Sequence, residues 1–265
     1  MRRYFSNTTL FMAFCVLLFS AMFTTNGLSQ NKPAQGAASP QAQAPLKITE
    51  LQVKAGMGME WENFLKDALK PALQKAGVQQ FGVWKTEQFG IADKYLIVTR
   101  INSMAELDNP APLVKVLGQF GVATVMSKIQ ELTYGARFYM VSPVADLSIP
   151  PKAGYVPKIA VLATTTVAPG RDQEFIKNGK QGVALIGKTN AKANIVGRVS
   201  LGGNPNEFIS CVMFDSFADL GQFPQAYAKA VAEVKPTPQA AGVVLNNEWV
   251  VIRYIDELSI RPPGQ

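Results

Sequence analysis

The sequence predicts an α+β fold: two ferredoxin-like β-α-β-β-α-β repeats in one chain, packed sheet to sheet. Three observations predict it. The chain repeats itself, because Ala145-Asp-Leu-Ser-Ile-Pro-Pro151 returns as Asp256-Glu-Leu-Ser-Ile-Arg-Pro-Pro263. Val53-Lys-Ala-Gly56 with Glu60-Trp61 likewise answers Val167-Ala-Pro-Gly170 with Glu174-Phe175, and Tyr95 to Leu107 answers Phe208 to Leu220. The offsets of 114, 113 and 111 residues keep the matches collinear, as a duplication of roughly 100 residues requires. Each half also runs through the same order of strand and helix periodicities. Finally, Tyr95–Ile101, Phe208–Phe214 and Trp249–Ile255 are apolar at consecutive positions. A half-exposed antiparallel strand would alternate. Helices can cover one face of each sheet, and the sheet of the sister half is expected to cover the other.

The first repeat opens with Lys47–Lys54, which alternates as a strand does. Gly56 and Gly58 break it. Met59–Ala76 places Trp61, Phe64, Leu65, Ala68, Leu69 and Leu73 at helical spacing, with a kink expected at Pro71 and a stop at Gly77. Val78–Gln88 and Asp93–Asn102 flank a turn at Gly90 and read as a hairpin. Ser103-Met-Ala-Glu106 has the spacing of a capping box. Pro110 and Pro112 interrupt the segment, a helix resumes toward Glu131, and Leu132–Val141 closes the repeat as a strand.

The second repeat has a strand at Lys158–Val167 and a helix over Arg171–Lys188. A hairpin of Ala193–Leu201 and Glu207–Asp215 follows. Ser216-Phe-Ala-Asp219 repeats the capping box, a helix runs to about Ala232, and Glu248–Ile255 is the last strand after a break at Lys235-Pro-Thr-Pro238. The expected organisation is therefore a segment 1–29, a tether 30–45, repeats over 46–149 and 158–260, a connector 150–157 and a tail 261–265.

Segment 1–29 reads as a signal peptide: Arg2 and Arg3 precede the apolar run Leu10–Phe23, and Gly27-Leu28-Ser29 supplies a cleavage site. The expected localisation is therefore exported, periplasmic or extracellular, with no stable membrane insertion after cleavage. The run is short for a spanning helix of about 20 residues, although a retained anchor is the alternative. The tether, rich in Gln, Ala and Pro, lacks the apolar content to fold.

The formal charge of +7 drops to +5 without residues 1–29, since Arg2 and Arg3 leave and no acid does. The basic residues form no stripe, so no nucleic-acid partner is expected. Without the signal only Cys211 remains, which precludes an intrachain disulfide and reads as a buried, inert thiol. The chain has no histidine, which removes Ser-His-Asp and Cys-His catalysis and the usual zinc ligands. Gly202-Gly203 is a hairpin turn rather than a phosphate loop, since no Gly-Lys-Ser/Thr follows. Glu60 and Glu174 fall in first helical turns, where the helix dipole favours them.

A β-α-β-β-α-β unit used twice, sheet against sheet, resembles the dimeric α+β barrel superfamily. The Gly-turn with its acidic-aromatic pair, and the strand followed by Ser-x-Ala-acidic-Leu, are similar to its antibiotic-biosynthesis-monooxygenase-like and NIPSNAP-like members. The resemblance covers about residues 46–260 and implies an intrachain pseudo-dimeric barrel, tandem duplicated, that is monomeric or forms a homodimer. Its implications for activity are divided among cofactor-free monooxygenases, haem-binding proteins and proteins of no known activity. Histidine-ligated haem is excluded here, and no cofactor is expected.

The chemistry that remains is carried by polar and aromatic residues in apolar strands: Trp84, Tyr95, Arg100, Arg137, Arg198 and Arg253. Arg137 and Arg253 are expected at equivalent positions. A guanidinium turned into a barrel needs an anionic partner or ligand, so these six could line a pocket for a small anionic or aromatic molecule. The bland reading pairs the arginines with Asp215, Glu248 or Asp256 at strand ends. Trp61 and Phe175 read as core anchors. Two functions follow: a non-catalytic or weakly small-molecule-binding barrel, ranked first, or a cofactor-independent monooxygenase-like enzyme on a small aromatic or anionic substrate. A side-chain-filled interior favours the first. The glycines of the second repeat's helix (Gly179, Gly182, Gly187) direct the expectation of a pocket entrance to that repeat.

Overall fold

The computed structural model describes residues 44–108, 111–234 and 242–261. The signal segment 1–29, nearly all of the tether and the break at Lys235-Pro-Thr-Pro238 lie outside the described residues. No helix among the described residues is long and apolar enough to cross a membrane.

The first half contains β1 (Leu46–Val53) and α1 (Gly58–Phe64), which runs through a π-helical turn (Leu65–Leu69) into α2 (Lys70–Lys75). β2 (Gly82–Thr86), β3 (Lys94–Arg100), a 3-10 turn (Met104–Asp108), α3 (Pro112–Leu132) and β4 (Thr133–Pro143) complete it. The second half contains β5 (Ile159–Val167), α4 (Asp172–Ile186), β6 (Ala193–Leu201), β7 (Glu207–Phe214), α5 (Phe217–Ala232) and β8 (Val244–Tyr254).

Two local outcomes refine the sequence reading. The kink expected at Pro71 is a π-turn. Proline has no N–H for the carbonyl of Asp67, and its ring crowds that carbonyl. The preceding turn widens, so that the Lys70 N–H reaches back five residues to Leu65 O. The two capping boxes also diverge. Ser216 Oγ accepts from the Asp219 N–H at 3.1 Å and donates to Asp219 Oδ2 at 2.9 Å, opening the 16-residue α5. Ser103 Oγ accepts from the Ala105 N–H at 3.2 Å, but its segment is a short 3-10 stretch, and the next helix opens at Pro112.

The eight strands form a closed antiparallel barrel in the order β1-β3-β2-β8-β5-β7-β6-β4. Within each half the first strand lies between the third and fourth: β1 pairs with β3 and β4, β5 with β7 and β8. The expected sheet-to-sheet packing goes further than facing layers. The edges join through Trp84↔Tyr254, Lys85↔Arg253 and Thr86↔Ile252 on one seam, and through four pairs from Met140↔Leu201 to Pro143↔Gly197 on the other. Closure leaves no unpaired edge. At the second seam a Cβ on Gly197 would collide with Val141 and lie 3.1 Å from Ser142 O. Glycine is what lets the two strands approach there.

The repeated Leu-Ser-Ile motif fastens these seams. Ser148, at the end of the first half, accepts from the Val196 N–H at 3.0 Å and donates to Val144 O at 2.9 Å. Ser259, at the end of the second half, accepts from the Val83 N–H at 2.9 Å and donates to Ile255 O at 2.8 Å. Bridges Ile149↔Asn194 and Phe81↔Ile260 extend the same two contacts. Each half thus ends in an arm that satisfies backbone groups of the other half.

The doubly apolar strands are explained by two cores. Ile48, Trp84, Leu96, Tyr139, Val199 and Ile252 fill the barrel interior. On the outer face, Trp61, Leu65, Tyr95 and Leu132 pack beneath the first half's helices. Phe214, Leu220 and Val251 do so in the second half, beside a cluster of Val167, Val196 and Phe208. Trp61 is a core anchor as expected, fully buried, and Phe175 stacks on Phe208 at 4.6 Å.

Candidate functional site

The β2–β3 hairpin shapes a cavity at one end of the first half. Gln88 and Asp93 take positive φ (61° and 54°), which bends the loop away from a flat hairpin. Gly90 (φ 128°) lets the loop fold down onto the barrel. A Cβ there would lie 2.7 Å from Thr86 Cγ2 and 3.1 Å from Val250 Cγ1. The cavity beneath measures about 240 Å³ and is lined by Lys85, Thr86, Gln88, Gly90, Ala92 and Asp93.

A polar group stands beside it. Lys85 Nζ donates to Glu62 Oε1 at 3.0 Å and lies 3.7 Å from Asp93 Oδ1. The Tyr95 hydroxyl donates to the same Glu62 oxygen at 2.6 Å, and Lys85 lies 5.2 Å from the Tyr95 ring centroid. Burial, and then the Glu62 hydrogen bond, push the Tyr95 phenol above its usual range, so it stays a proton donor at neutral pH. α1 supplies Glu62, β2 supplies Lys85, and the hairpin and β3 supply Asp93 and Tyr95.

Among the described residues, the second half has a smaller group here: Arg198 lies over the Phe208 ring at 5.7 Å and pairs with one carboxylate, Asp172, at 3.0 Å. The Val167 N–H bonds to Asn206 O as the Val53 N–H bonds to Asp93 O, which makes Asn206 the counterpart of Asp93. The serine locks make Val196 the counterpart of Val83, so Arg198 stands at the position of Lys85. The 114-residue offset puts Ile176 opposite Glu62 and the 113-residue offset puts Phe208 opposite Tyr95. A pocket entrance was expected near Gly179, Gly182 and Gly187, but the described cavity belongs to the first half. Gly179 serves packing instead: a Cβ on it would meet Leu147 Cδ2 at 2.8 Å.

A second polar group closes the barrel interior at its mouth. The Tyr139 hydroxyl donates to Glu50 Oε1 at 2.8 Å, and Lys94 pairs with Glu50 Oε2 at 3.0 Å. The Arg137 guanidinium lies over the Tyr139 ring at 4.8 Å and 3.6 Å from Glu207.

The six residues singled out from sequence are not gathered into one pocket. Trp84 lies in the barrel interior, edge-on to Tyr254 at 5.1 Å. Tyr95, on the neighbouring strand, lies on the opposite face under the helices, because Lys85 rather than Trp84 is its register partner. Arg100 is exposed at the end of β3. Arg137 shares the interior face with Tyr139, whereas Arg198 and Arg253 lie on the helix faces of the second half. Arg198 bonds to Asp172 at 3.0 Å and Pro205 O at 2.7 Å. Arg253 pairs with Glu87 at 3.1 Å and stacks over Phe217 at 5.7 Å.

Arg137 and Arg253 are therefore not equivalent. Arg137 pairs in register with Glu50 and Glu248 with Thr164, so Glu248 is the counterpart of Arg137. The arginine partners are Glu207, Asp172 and Glu87 instead of the acids expected. Asp215 binds Lys192 and Asp256 binds Arg261. Sequence reasoning missed Glu62, Lys85, Asp93, Glu50 and Lys94. The available signal was that Lys85 and Tyr95 follow the strand pattern of Arg198 and Phe208 with different chemistry. Cys211 faces the interior cluster, and burial pushes its thiol up to about 12, which keeps it inert.

No protein-family model matches the sequence, and no curated protein does. Solved structures match its fold. A candidate monooxygenase of Fusobacterium nucleatum subsp. nucleatum has a TM-score of 0.57 at 14% identity, covering 85% of this chain and 98% of its own. An anthrone oxidase-like protein has a TM-score of 0.56 at 13% identity, covering 81% and 92%. A candidate monooxygenase of Lactobacillus acidophilus NCFM has a TM-score of 0.55 at 10% identity, covering 80% and 94%. At these identities the likeness is one of fold. The chain shares the α+β architecture of these structures and closes it as an eight-strand antiparallel barrel.

Proposed function

We propose that this is an exported small-molecule-binding α+β barrel, arisen by tandem duplication, whose binding site is the hairpin cavity of the first half. One observation carries the reading: a cavity of about 240 Å³ adjoins the Glu62–Lys85–Asp93–Tyr95 group, while the corresponding positions of the second half hold Ile176, Arg198, Asn206 and Phe208. The barrel interior holds Trp84, Tyr139, Ile252 and their neighbours, which favours binding at the rim over chemistry inside the barrel. Collinear repeats and the matched serine locks support the duplication. The basic, then apolar, leader supports export.

Amide chemical shifts read during addition of a fragment mixture test this. Gly90, Ala92 and Asp93 are expected to shift, and the second-half hairpin residues Gly202 and Asn206 are not. Equal shifts in both hairpins, or none, would sink the reading.

A monooxygenase-like activity is the second reading. It is favoured by a carboxylate, Glu62, that shares one oxygen between a neutral phenol and an ammonium. Such a group can accept a substrate proton while Lys85 steadies the charge that develops. The fold it shares with candidate monooxygenases and an anthrone oxidase-like protein agrees with this. Oxygen uptake with an anthrone checks it: turnover abolished by Glu62→Gln supports the reading, and no uptake above buffer removes it.

A further inference from the structure

We propose that the hairpin cavity takes an amphipathic molecule with a neutral or cationic, hydrogen-bond-donating head and an apolar body. This inference rests on the binding reading above and adds the ligand's chemical class.

The head group follows from counting charges around the cavity. Lys85 faces two carboxylates, Glu62 at 3.0 Å and Asp93 at 3.7 Å. The neighbouring cations are committed one to one: Lys94 to Glu50 and Arg253 to Glu87. The wall therefore carries one more negative than positive charge. An incoming anion would meet two carboxylates for a single ammonium that they already hold. A donor head instead finds Asp93, which Lys85 holds only loosely at 3.7 Å. Thr86, a lining residue 8% exposed, has a buried hydroxyl oxygen with no hydrogen-bond partner. A buried polar atom without a partner is unusual enough to require one. Of the arginines that suggested an anionic ligand from sequence, Arg253 adjoins this wall as the cross-strand neighbour of Lys85, and Glu87 holds it.

The apolar body follows from the rim. The hairpin alternates: Gln88, Gly90 and Ala92 line the cavity, while Phe89 and Ile91 between them are 54% and 63% exposed. Gly58 at the start of α1 comes close to the cavity, since a Cβ on it would lie 3.2 Å from Asp93 Oδ1, and the next residue, Met59, is 78% exposed. Of the twelve large hydrophobic side chains exposed among the described residues, ten belong to the first half and two, Leu201 and Leu245, to the second. Single exposed apolar residues need no explanation, but a group of them rimming a polar cavity is what an amphipathic ligand would cover.

Titrating the full chain with octylamine, octanol and octanoate, read at the amides of Gly90, Ala92 and Asp93, tests this. Octylamine is expected to bind tightest and octanoate weakest. Asp93→Asn, which tolerates the same positive φ, is expected to weaken octylamine by about tenfold, the size of one charge-assisted contact, and leave octanol within about twofold. Ile91→Ser, at an exposed position that folding does not need, is expected to weaken octylamine and octanol alike. Octanoate binding as tightly as octylamine, or octylamine binding unchanged by Asp93→Asn, would overturn the ligand class while the cavity reading stands. If none of the three probes moves these amides, the cavity reading itself falls.

Discussion

The two halves share a frame and differ in what fills it. β1 and β5 each pair with the third and fourth strands of their half, and each half fastens the other through one serine hydroxyl. Those contacts satisfy backbone groups through a hydroxyl on Cβ that donates and accepts at once, which among side chains only serine and threonine carry. The filling is free to change as long as the core as a whole stays packed. Trp61 and Tyr95 meet edge-on at 6.0 Å in the first half, while Phe175 and Phe208 make the matching contact in the second. Aligning Val83 with Val196 places Trp84 opposite Gly197, so one seam carries the largest side chain available and the other the smallest. The first half carries two carboxylates and a lysine beside its helix-side aromatic pair, where the second half carries Arg198 with Asp172.

The comparison can be broken most severely at the seams. Trp84→Gly, which copies the second half into the first, empties the barrel interior and is expected to cost about 3–5 kcal/mol in chemical denaturation. The reciprocal Gly197→Val forces a side chain against Val141 and Ser142 and is expected to cost about 1–3 kcal/mol. If either variant matched the parent in stability, the seams would not be the determinants described here.

The serine locks come next. Ser148→Ala and Ser259→Ala each strand a buried N–H, that of Val196 or Val83, and are each expected to cost about 1–3 kcal/mol. At roughly 2–4 °C per kcal/mol for a chain of this size, calorimetry resolves the loss, and near-equal losses would support equivalent roles.

Tyr95→Phe makes the first half resemble the second at one atom. It leaves Glu62 bonded to Lys85 and is expected to cost about 1 kcal/mol. A loss as large as that of Trp84→Gly would show the tyrosine to be structural above all.

The smallest effect is alkaline. Burial raises the Cys211 thiol from an ordinary 9.0 to about 12 and raises the Tyr95 and Tyr139 phenols as well. A group whose folded pKa is raised contributes stability that is complete below its unfolded pKa and is lost as pH climbs toward the folded one. Urea midpoints should therefore hold to about pH 9 and fall between 9 and 12. Cys211→Ala should flatten the earliest part of the fall.

Much of the frame was legible because it is local. Caps, glycine stops and apolar periodicity are set by residues within a few positions of each other. The strand and helix order, the two-faced burial of the strands and the anchoring by Trp61 and Phe175 follow from them. Even the motif that locks the seams was visible as a repeat, although its task was not. The candidate site was less legible. Glu62 and Lys85 are 23 residues apart, and nothing in either segment announces that they share a hydrogen bond.

Sequence alone determined the paired order of elements, the absence of histidine chemistry and the need to bury both faces of the central strands. Tertiary structure alone decided which face each polar residue occupies. Arg137 entered the barrel and Arg253 the helix layer because strand side chains alternate with a period of two. The two halves keep the same register, and Arg253 answers Ser142, which pairs with Arg198 as Arg253 pairs with Lys85, an odd number of residues along the strand from Arg137 and so on the other face. Where the chain shifts register, as between Gln52 and Val53 and again between Met140 and Val141, is settled by the partner strand. The hairpin cavity depends in the same way on Gly90 meeting Val250 of the other half, a contact between residues far apart in the chain.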